Sequence, residues 1–352
     1  MKILVIQQKM IGDVLTSTIL LEALRRKFPN AELHYLINAH TFPVVENNPF
    51  IDSFLFFDAE MEKNILKLWP LLKTIRTNNY DILVDSYSKL SSNILSFLSK
   101  AKIKISFYKK HSSFIYKHNV IRDKHTESTI GLEISNRLKL LEPLDIKVDN
   151  IKPNIYLTEN ESVEGMSFLR NSRIDLDKAI FMISVLGSEA NKTYPFQYMA
   201  EIIDTVVAKT NGQILFNYIP TQKTDAKEIF NLCKPKTQRQ IFFNVFGKSL
   251  RQFLTITKHC TAVIGNEGGA INMAKALNIP TFAIFSPWIN KNGWNMFEDE
   301  RNISIHLIEM KPSLFENIEM KSISNNSKPF YNAFTPDLIL PKLKDYLEQF
   351  KQ

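Results

Sequence analysis

The sequence predicts an α/β fold: two Rossmann-like domains, at 1–160 and 175–330, facing a central cleft, with a further helix at 335–352. Three observations predict it. Short apolar runs alternate with helix-patterned stretches along the chain, the pattern of parallel sheets with helices on both faces. The alternation breaks once, at 142–160, a proline-containing stretch with little helical periodicity, and then restarts. The length of 352 residues suits two cores at roughly 100–200 residues per domain.

The elements follow in order. Residues 2–7, KILVIQ, read as a buried first strand. A helix is expected over 11–28, with Val14, Ser17, Leu21, Leu24 and Phe28 on one face. Arg25, Arg26 and Lys27 suit the negative end of its dipole, and Pro29 stops it. Strands are expected at 32–37, 53–58, 81–86 and 102–107, with helices around 60–77 and over 128–141. The second half restarts with AIFMISVL at 179–186. Helices are then expected at 195–209, 223–233, 249–258 and 268–277, and strands at 213–218, 241–245, 261–265 and 281–285. Residues 288–330 read as irregular. Thr335-Pro336-Asp337 opens a last helix, with Thr as cap and Pro at the first position. Pro341 either kinks it or marks its true first turn. This helix is expected to pack back toward the N-terminal domain.

Composition narrows the class. An apolar fraction of 44% with 23% charged residues is that of a globular protein and excludes a disordered chain. Two cysteines, Cys233 and Cys260, in no metal-ligand spacing, suggest no disulfide framework and a reducing compartment. The first apolar run is too short for a signal-peptide core, and no stretch approaches the ~18 apolar residues of a membrane span. A cytoplasmic protein is expected. The net charge of +8 is concentrated between Lys100 and Lys124, where Lys102, Lys104, Lys109, Lys110, Lys117 and Arg122 face one acid, Asp123. Phe107, Tyr108, Phe114 and Tyr116 are interleaved. Such a stretch suits an anionic membrane face or an acidic substrate, or else a solvated surface. Nucleic acid is not expected, because no recognised module accompanies the modest charge.

There are only ten glycines, and three of them fall between Gly265 and Gly269. Ligands of parallel α/β sheets bind beyond the carboxyl ends of the strands, where loops enter helices. Three such turns stand out. In Gln8-Lys9-Met10-Ile11-Gly12-Asp13, Gly12 permits close backbone approach, and Asp13 either caps the helix or serves as a general base. In Gly187-Ser188-Glu189-Ala190-Asn191-Lys192-Thr193-Tyr194-Pro195, the turn, the hydroxyl and the Lys192 charge suit a phosphate, although an ordinary strand-to-helix turn has the same outline. In Gly265-Asn266-Glu267-Gly268-Gly269, adjacent glycines bare backbone N–H groups at a helix start, a site for an anion or a tight packing turn. No zinc or EF-hand pattern is present. Asp175-Leu176-Asp177 lies at the amino end of its sheet, away from such a site, and reads as a solvated loop.

These turns, in this order, resemble glycosyltransferase family 9, the lipopolysaccharide heptosyltransferases. Gly12-Asp13-Val14-Leu15, then Ser188, Lys192, Tyr194 and Pro195, then VIGNEGGAINMAKALNIPTFAIFSP at 263–287 carry the resemblance, which covers about residues 1–290. It implies a GT-B fold and inverting, metal-independent transfer of a sugar from a nucleotide-sugar donor, ADP-heptose first, to a lipopolysaccharide-core or lipid-linked acceptor. No cofactor is implied. Asp13 maps to the catalytic base. Gly187, Ser188, Lys192, Glu267, Gly268, Gly269 and Asn272 map to the donor side. Gly12, Lys102, Lys104, Lys109 and Lys110 fall on the acceptor side, and the basic stretch suits an acceptor anchored in an anionic membrane, placing the enzyme peripherally at its inner face. The family pattern has Asp-(Ser/Thr)-Gly and a following His where this chain has Glu267-Gly268-Gly269 and Asn272, which leaves the donor open. A nucleotide-sugar epimerase on the same fold and a non-catalytic carbohydrate-binding relative are the alternatives.

Overall fold

The computed structural model describes residues 1–126, 130–148 and 151–351. Contacts divide the chain into two units, Met1–Tyr156 and Leu157–Gln352.

The first unit is built on a six-stranded parallel sheet. Its strands are β1 (Lys2–Ile6), β2 (Glu32–Asn38), β3 (Ser53–Phe57), β4 (Ile82–Asp85), β5 (Ile103–Phe107) and β6 (His118–Val120), in the order β3-β2-β1-β4-β5-β6. This is the doubly wound order whose reversal lies beside β1. Ile3, Leu4, Val5 and Ile6 of β1 are wholly buried, as a central parallel strand requires. Ile6 pairs with Leu36 of β2 and Asp85 of β4, so three strand ends line up at one edge. From that edge the chain enters α1 (Ile11–Lys27), whose residues Val14 to Leu21 are all buried. Next come α2 (Trp69–Asn78), α3 (Leu90–Leu98) and α4 (Leu132–Lys139). The expected start of the last helix, at 128–129, lies outside the described residues. The three-residue β6 and helix α3 carry no expectation from the sequence.

The second unit opens at Leu157, within the break at 142–160. Helix α5 (Glu159–Asn171) starts on a capping box: Thr158 Oγ1 accepts from the Glu161 amide, and Glu161 accepts from the Thr158 amide. The strands are β7 (Ile180–Ser184), β8 (Gln213–Asn217), β9 (Ala262–Asn266), β10 (Thr281–Ile284) and β11 (Asn302–Ile305), all parallel, in the order β11-β10-β9-β7-β8. Between them lie α6 (Phe196–Thr210), α7 (Lys223–Leu232), α8 (Leu250–Thr257) and α9 (Gly269–Ala276).

Two expectations need correction. Residues 241–245 form no strand: Ile241 makes one isolated bridge to Ile214, and the chain then turns, Val245 N–H donating to Phe242. The stretch 288–330 is not wholly irregular, because β11 adds an edge strand to β10. The terminal helix α10 (Pro336–Glu348) packs into the core of its own unit. Its Ile339, Leu343, Tyr346 and Leu347 are buried in the core of the second unit, and the Tyr346 ring lies 5.4 Å from that of Phe282 on β10. The apolar face at i, i+4, i+7 and i+8 is satisfied there. Pro341 lies inside α10 without ending it.

Candidate functional site

In the first unit, Asp13 sits in the first turn of α1, just past the carboxyl end of central strand β1. One carboxylate oxygen, Oδ2, accepts from the Met10 backbone amide at 3.3 Å. The other, Oδ1, accepts from Arg137 Nη2 at 2.6 Å. Asp13 thus braces the first turn of its helix loosely, and it is partly exposed with a second, tighter partner. Arg137 is buried on α4 and makes three further contacts. Its Nε donates to Ser17 Oγ at 3.0 Å, and its Nη1 to Glu133 Oε2 and the Glu133 carbonyl, each at 3.0 Å. Ser17 Oγ in turn lies 3.3 Å from Gln7 Oε1. A buried guanidinium with two carboxylates holds Asp13 in one orientation.

The neighbouring strand end carries a second buried acid. Asp85 accepts from the Tyr87 and Ser88 amides at 3.0 and 2.8 Å, and its Oδ2 lies 2.6 Å from Tyr116 Oη. Burial pushes its carboxyl above the ordinary carboxylate range.

In the second unit, β7 leads into the 187–195 turn. A side chain at Gly187 would place Cβ 2.3 Å from the Lys192 carbonyl oxygen, so only glycine lets the turn close on itself. Gly187 N–H donates to Thr193 Oγ1, and Gln222 Nε2 donates to the Gly187 carbonyl. Ser188 is exposed at the rim of a pocket of about 260 Å³, lined also by Glu189, Tyr194, Gln222 and Asp225. Lys192 is half-buried, with Nζ 5.3 Å from the Trp288 ring centroid.

The third turn follows β9, the neighbour of β7. Gly268 has φ +140, a conformation side chains rarely adopt, and nothing lies within 4 Å of where its Cβ would be. Open space thus faces the start of α9, whose first amides have no intrahelical acceptor. Gly269 is exposed there, and the Asn272 amide donates to the Gly268 carbonyl at 3.1 Å. Burial raises the Glu267 carboxyl above its ordinary value, and the Lys192 charge opposes that rise. The two donor-side turns are tied by Asn266, whose Oδ1 accepts from the Tyr194 amide at 2.7 Å while its Nδ2 donates to the Ser184 carbonyl at 2.9 Å.

The structure therefore brings Gly187, Ser188, Lys192, Glu267, Gly268, Gly269 and Asn272 to one edge of the second sheet. It places Gly12 and Asp13 at the equivalent edge of the first. The four lysines expected on the acceptor side divide. Lys102 precedes β5, at the amino edge, and pairs with Asp81 Oδ1 at 2.7 Å. Lys104 Nζ donates to the Phe97 and Ser99 carbonyls. These two are tied away from the carboxyl edge that carries Asp13. Lys109 follows β5 and its Nζ donates to the Ser88 carbonyl, while Lys110 is exposed beside it. Asp175 pairs with Lys178 at the amino end of β7, as a solvated loop should.

Arg137, Glu133 and Asn266 escape the sequence reading. An arginine in a polar helix looks like a solvated face, and an asparagine inside a turn motif looks like a spacer. Among the described residues, no group of three or more His, Cys, Asp or Glu is placed to hold a metal ion, and no helix is long and apolar enough to cross a membrane.

Two parallel α/β units, each with a helix-entry turn at the carboxyl edge of its sheet, define a protein of the GT-B class. Solved structures agree in fold. A glycosyl transferase family 9 protein from Veillonella parvula has a TM-score of 0.79 at 16% identity, covering 99% of this chain and 97% of that one. The ADP-heptose lps heptosyltransferase II of E. coli has a TM-score of 0.74 at 17% identity, covering 99% of both chains. The family model described as glycosyltransferase family 9 (heptosyltransferase) matches residues 68–314, and the chain belongs to that family. It is a glycosyltransferase. Among curated relatives, the lipopolysaccharide heptosyltransferase 1 of Campylobacter coli is 23% identical over 295 residues, 81% of this chain and 84% of the relative.

Proposed function

We propose that this glycosyltransferase moves a sugar, heptose foremost, from ADP-heptose to a lipopolysaccharide-core or related surface-glycan acceptor, with inversion at the anomeric carbon. The observation that carries this reading is the Asp13 carboxylate, held by Arg137 at 2.6 Å at the carboxyl end of the central strand. The names of the relatives, heptosyltransferases acting in lipopolysaccharide synthesis, supply the sugar and the acceptor class.

Asp13 takes the proton from an acceptor hydroxyl as that oxygen attacks the anomeric carbon. The new C–O bond forms on the face opposite the diphosphate, the old C–O bond breaks, and the nucleoside diphosphate leaves with the electron pair. Lys192 and the Ser188 hydroxyl hold the diphosphate. Gly268 and Gly269 expose backbone donors to it, with the α9 dipole behind them. A lysine and a helix start supply the positive charge, so the reading requires no divalent metal. Glu267 stands where the family pattern has Asp. It keeps an acid near the phosphates, but one whose ionisation burial resists. The acceptor is membrane-anchored, and the enzyme works in the cytoplasm as a peripheral protein at the inner membrane.

A transfer assay tests this reading. ADP-heptose and a heptose-free lipopolysaccharide core are incubated with enzyme, and the acceptor is weighed by mass spectrometry. Gain of one heptose is expected. Conversion of the nucleotide-sugar with no acceptor present indicates an epimerase instead. Donor binding with no product across a range of acceptors indicates a binding relative.

A further inference from the structure

Helix α3 is inside out. It buries Ser92, Asn93 and Ser96 together with Leu95, and exposes Leu90, Phe97 and Leu98. The exposed residues fall at i, i+7 and i+8, one face of the helix, and the buried polar residues lie on the opposite face. The polar inner face has a cause. Asn93 Oδ1 lies 2.8 Å from Tyr116 Oη, which also meets buried Asp85. Within the described residues of its own unit, the apolar outer face has no such cause. Leu90 and Phe97 are 75% and 57% exposed. Phe114, on the short turn Ser113–Ile115, is 75% exposed, and its ring lies edge-on to that of Phe97 at 6.1 Å. An apolar patch of this kind on a soluble unit marks an interaction surface.

The segment that carries it is basic. From Ser86 through Arg122 there is no Asp or Glu, against eight Lys and Arg. Lys89 stands immediately before Leu90, Lys100 two residues after Leu98, and Lys110 and Lys117 on either side of Phe114. All four are exposed. Exposed aromatic and aliphatic side chains with exposed lysines beside them in the chain match the boundary between headgroups and acyl chains of an anionic bilayer. We propose that the outer face of α3, with Phe114, docks this enzyme on an anionic phospholipid membrane, Phe97, Phe114 and Leu90 inserting and the four lysines meeting headgroup phosphates. The inference deepens the reading of a peripheral enzyme with a membrane-anchored acceptor by naming the surface.

Sedimentation with bare vesicles tests it without nucleotide or acceptor, so its outcome is separable from that of the transfer reading. The full chain should pellet with vesicles of mixed phosphatidylcholine and phosphatidylglycerol and stay in solution with pure phosphatidylcholine. Raised salt should weaken the binding. The F97S/F114S double variant should partition at least about tenfold less, with an unchanged melting temperature, because both residues are exposed. K110E/K117E should lose binding to the mixed vesicles as well. Failure to pellet with the mixed vesicles, equal pelleting with both compositions, or wild-type binding by F97S/F114S would overturn the proposal. So would a dimer in equilibrium sedimentation that F97S/F114S dissolves, because a second copy would then cover the face.

Discussion

Asp13 Oδ1 and Arg137 Nη2 meet at 2.6 Å although they stand 124 residues apart. The contact joins the first turn of α1 to the last turn of α4, and the same guanidinium also holds Ser17 and Glu133. Arg137 is therefore a positioning residue: it fixes which way a carboxylate points at the end of the central strand.

Arg137→Lys keeps the charge and loses the fork. With one point donor in place of several, Asp13 and Glu133 no longer share a rigid partner. The transfer kcat should fall roughly 10²-fold, the order expected when a reacting group is misplaced by about 1 Å. KM for the nucleotide-sugar should change little, because the donor-side residues all belong to the second unit. Steady-state kinetics against donor concentration checks the split. A purely structural role for Arg137 would lower the melting temperature and leave kcat per folded molecule unchanged.

Lys192 is assigned to the diphosphate. Lys192→Ala should weaken ADP binding by about 2–3 kcal/mol, some 30- to 150-fold, as for loss of a hydrogen bond to a charged group. Calorimetry with ADP measures this. In the same assay EDTA should leave the affinity unaltered, because the proposal gives the work of a metal ion to a lysine and a helix start.

Glu267 gives the donor site a pH dependence. Burial raises its carboxyl above the ordinary value, so it gains its proton as pH falls through a range above that of a free glutamate. Protonation removes a negative charge beside the place where the diphosphate binds. ADP should therefore bind more tightly as pH falls through that range. Glu267→Gln should bind ADP more tightly at neutral pH and lose that part of the profile. Calorimetric titrations at a series of pH values compare the two proteins.

The capping box of α5 has a stability signature. Arg251 grips Glu161 with Nε to Oε1 at 2.5 Å and Nη2 to Oε2 at 2.8 Å. That contact, above all, lowers the carboxyl from 4.5 to about 2. The folded-state value lies below the unfolded one, so the pair contributes fully above pH 4.5 and loses its contribution as pH falls toward 2. Solvent screening keeps it near 1 kcal/mol. Urea unfolding of wild type and Glu161→Gln should differ by about that much at pH 7 and converge as pH approaches 2.

What was legible in the sequence depended on the kind of signal each element carries. β1, β7 and β9 are continuous apolar runs followed by glycine-containing turns, and both features survive in the amino-acid pattern. The turns at Gly187 and Gly268 could be read because a backbone that must close tightly or bare its amides needs glycine. Residues 241–245 have strand-like composition, but strand pairing is set by neighbours, and Ile241 finds only one bridge. β11 was hidden because an edge strand of NISI is half polar. α3 was hidden because its polarity is largely reversed, Ser92, Asn93 and Ser96 facing inward and Leu90, Phe97 and Leu98 outward. The clearest loss is Arg137. No local pattern distinguishes a buried arginine from a solvated one; only the meeting of α1 and α4 does. The terminal helix was legible as a helix but not in its destination, because an apolar stripe does not say which core receives it.

The base assignment has one most direct test. Asp13→Asn keeps the size of the side chain and its contact to the Met10 amide, and removes the proton acceptor. Release of ADP from ADP-heptose in the presence of a lipopolysaccharide-core acceptor is measured for this variant and the wild type, with ADP affinity measured in parallel. The account predicts turnover reduced about 10²–10⁴-fold with ADP affinity within about twofold of wild type. Wild-type turnover by Asp13→Asn would contradict it.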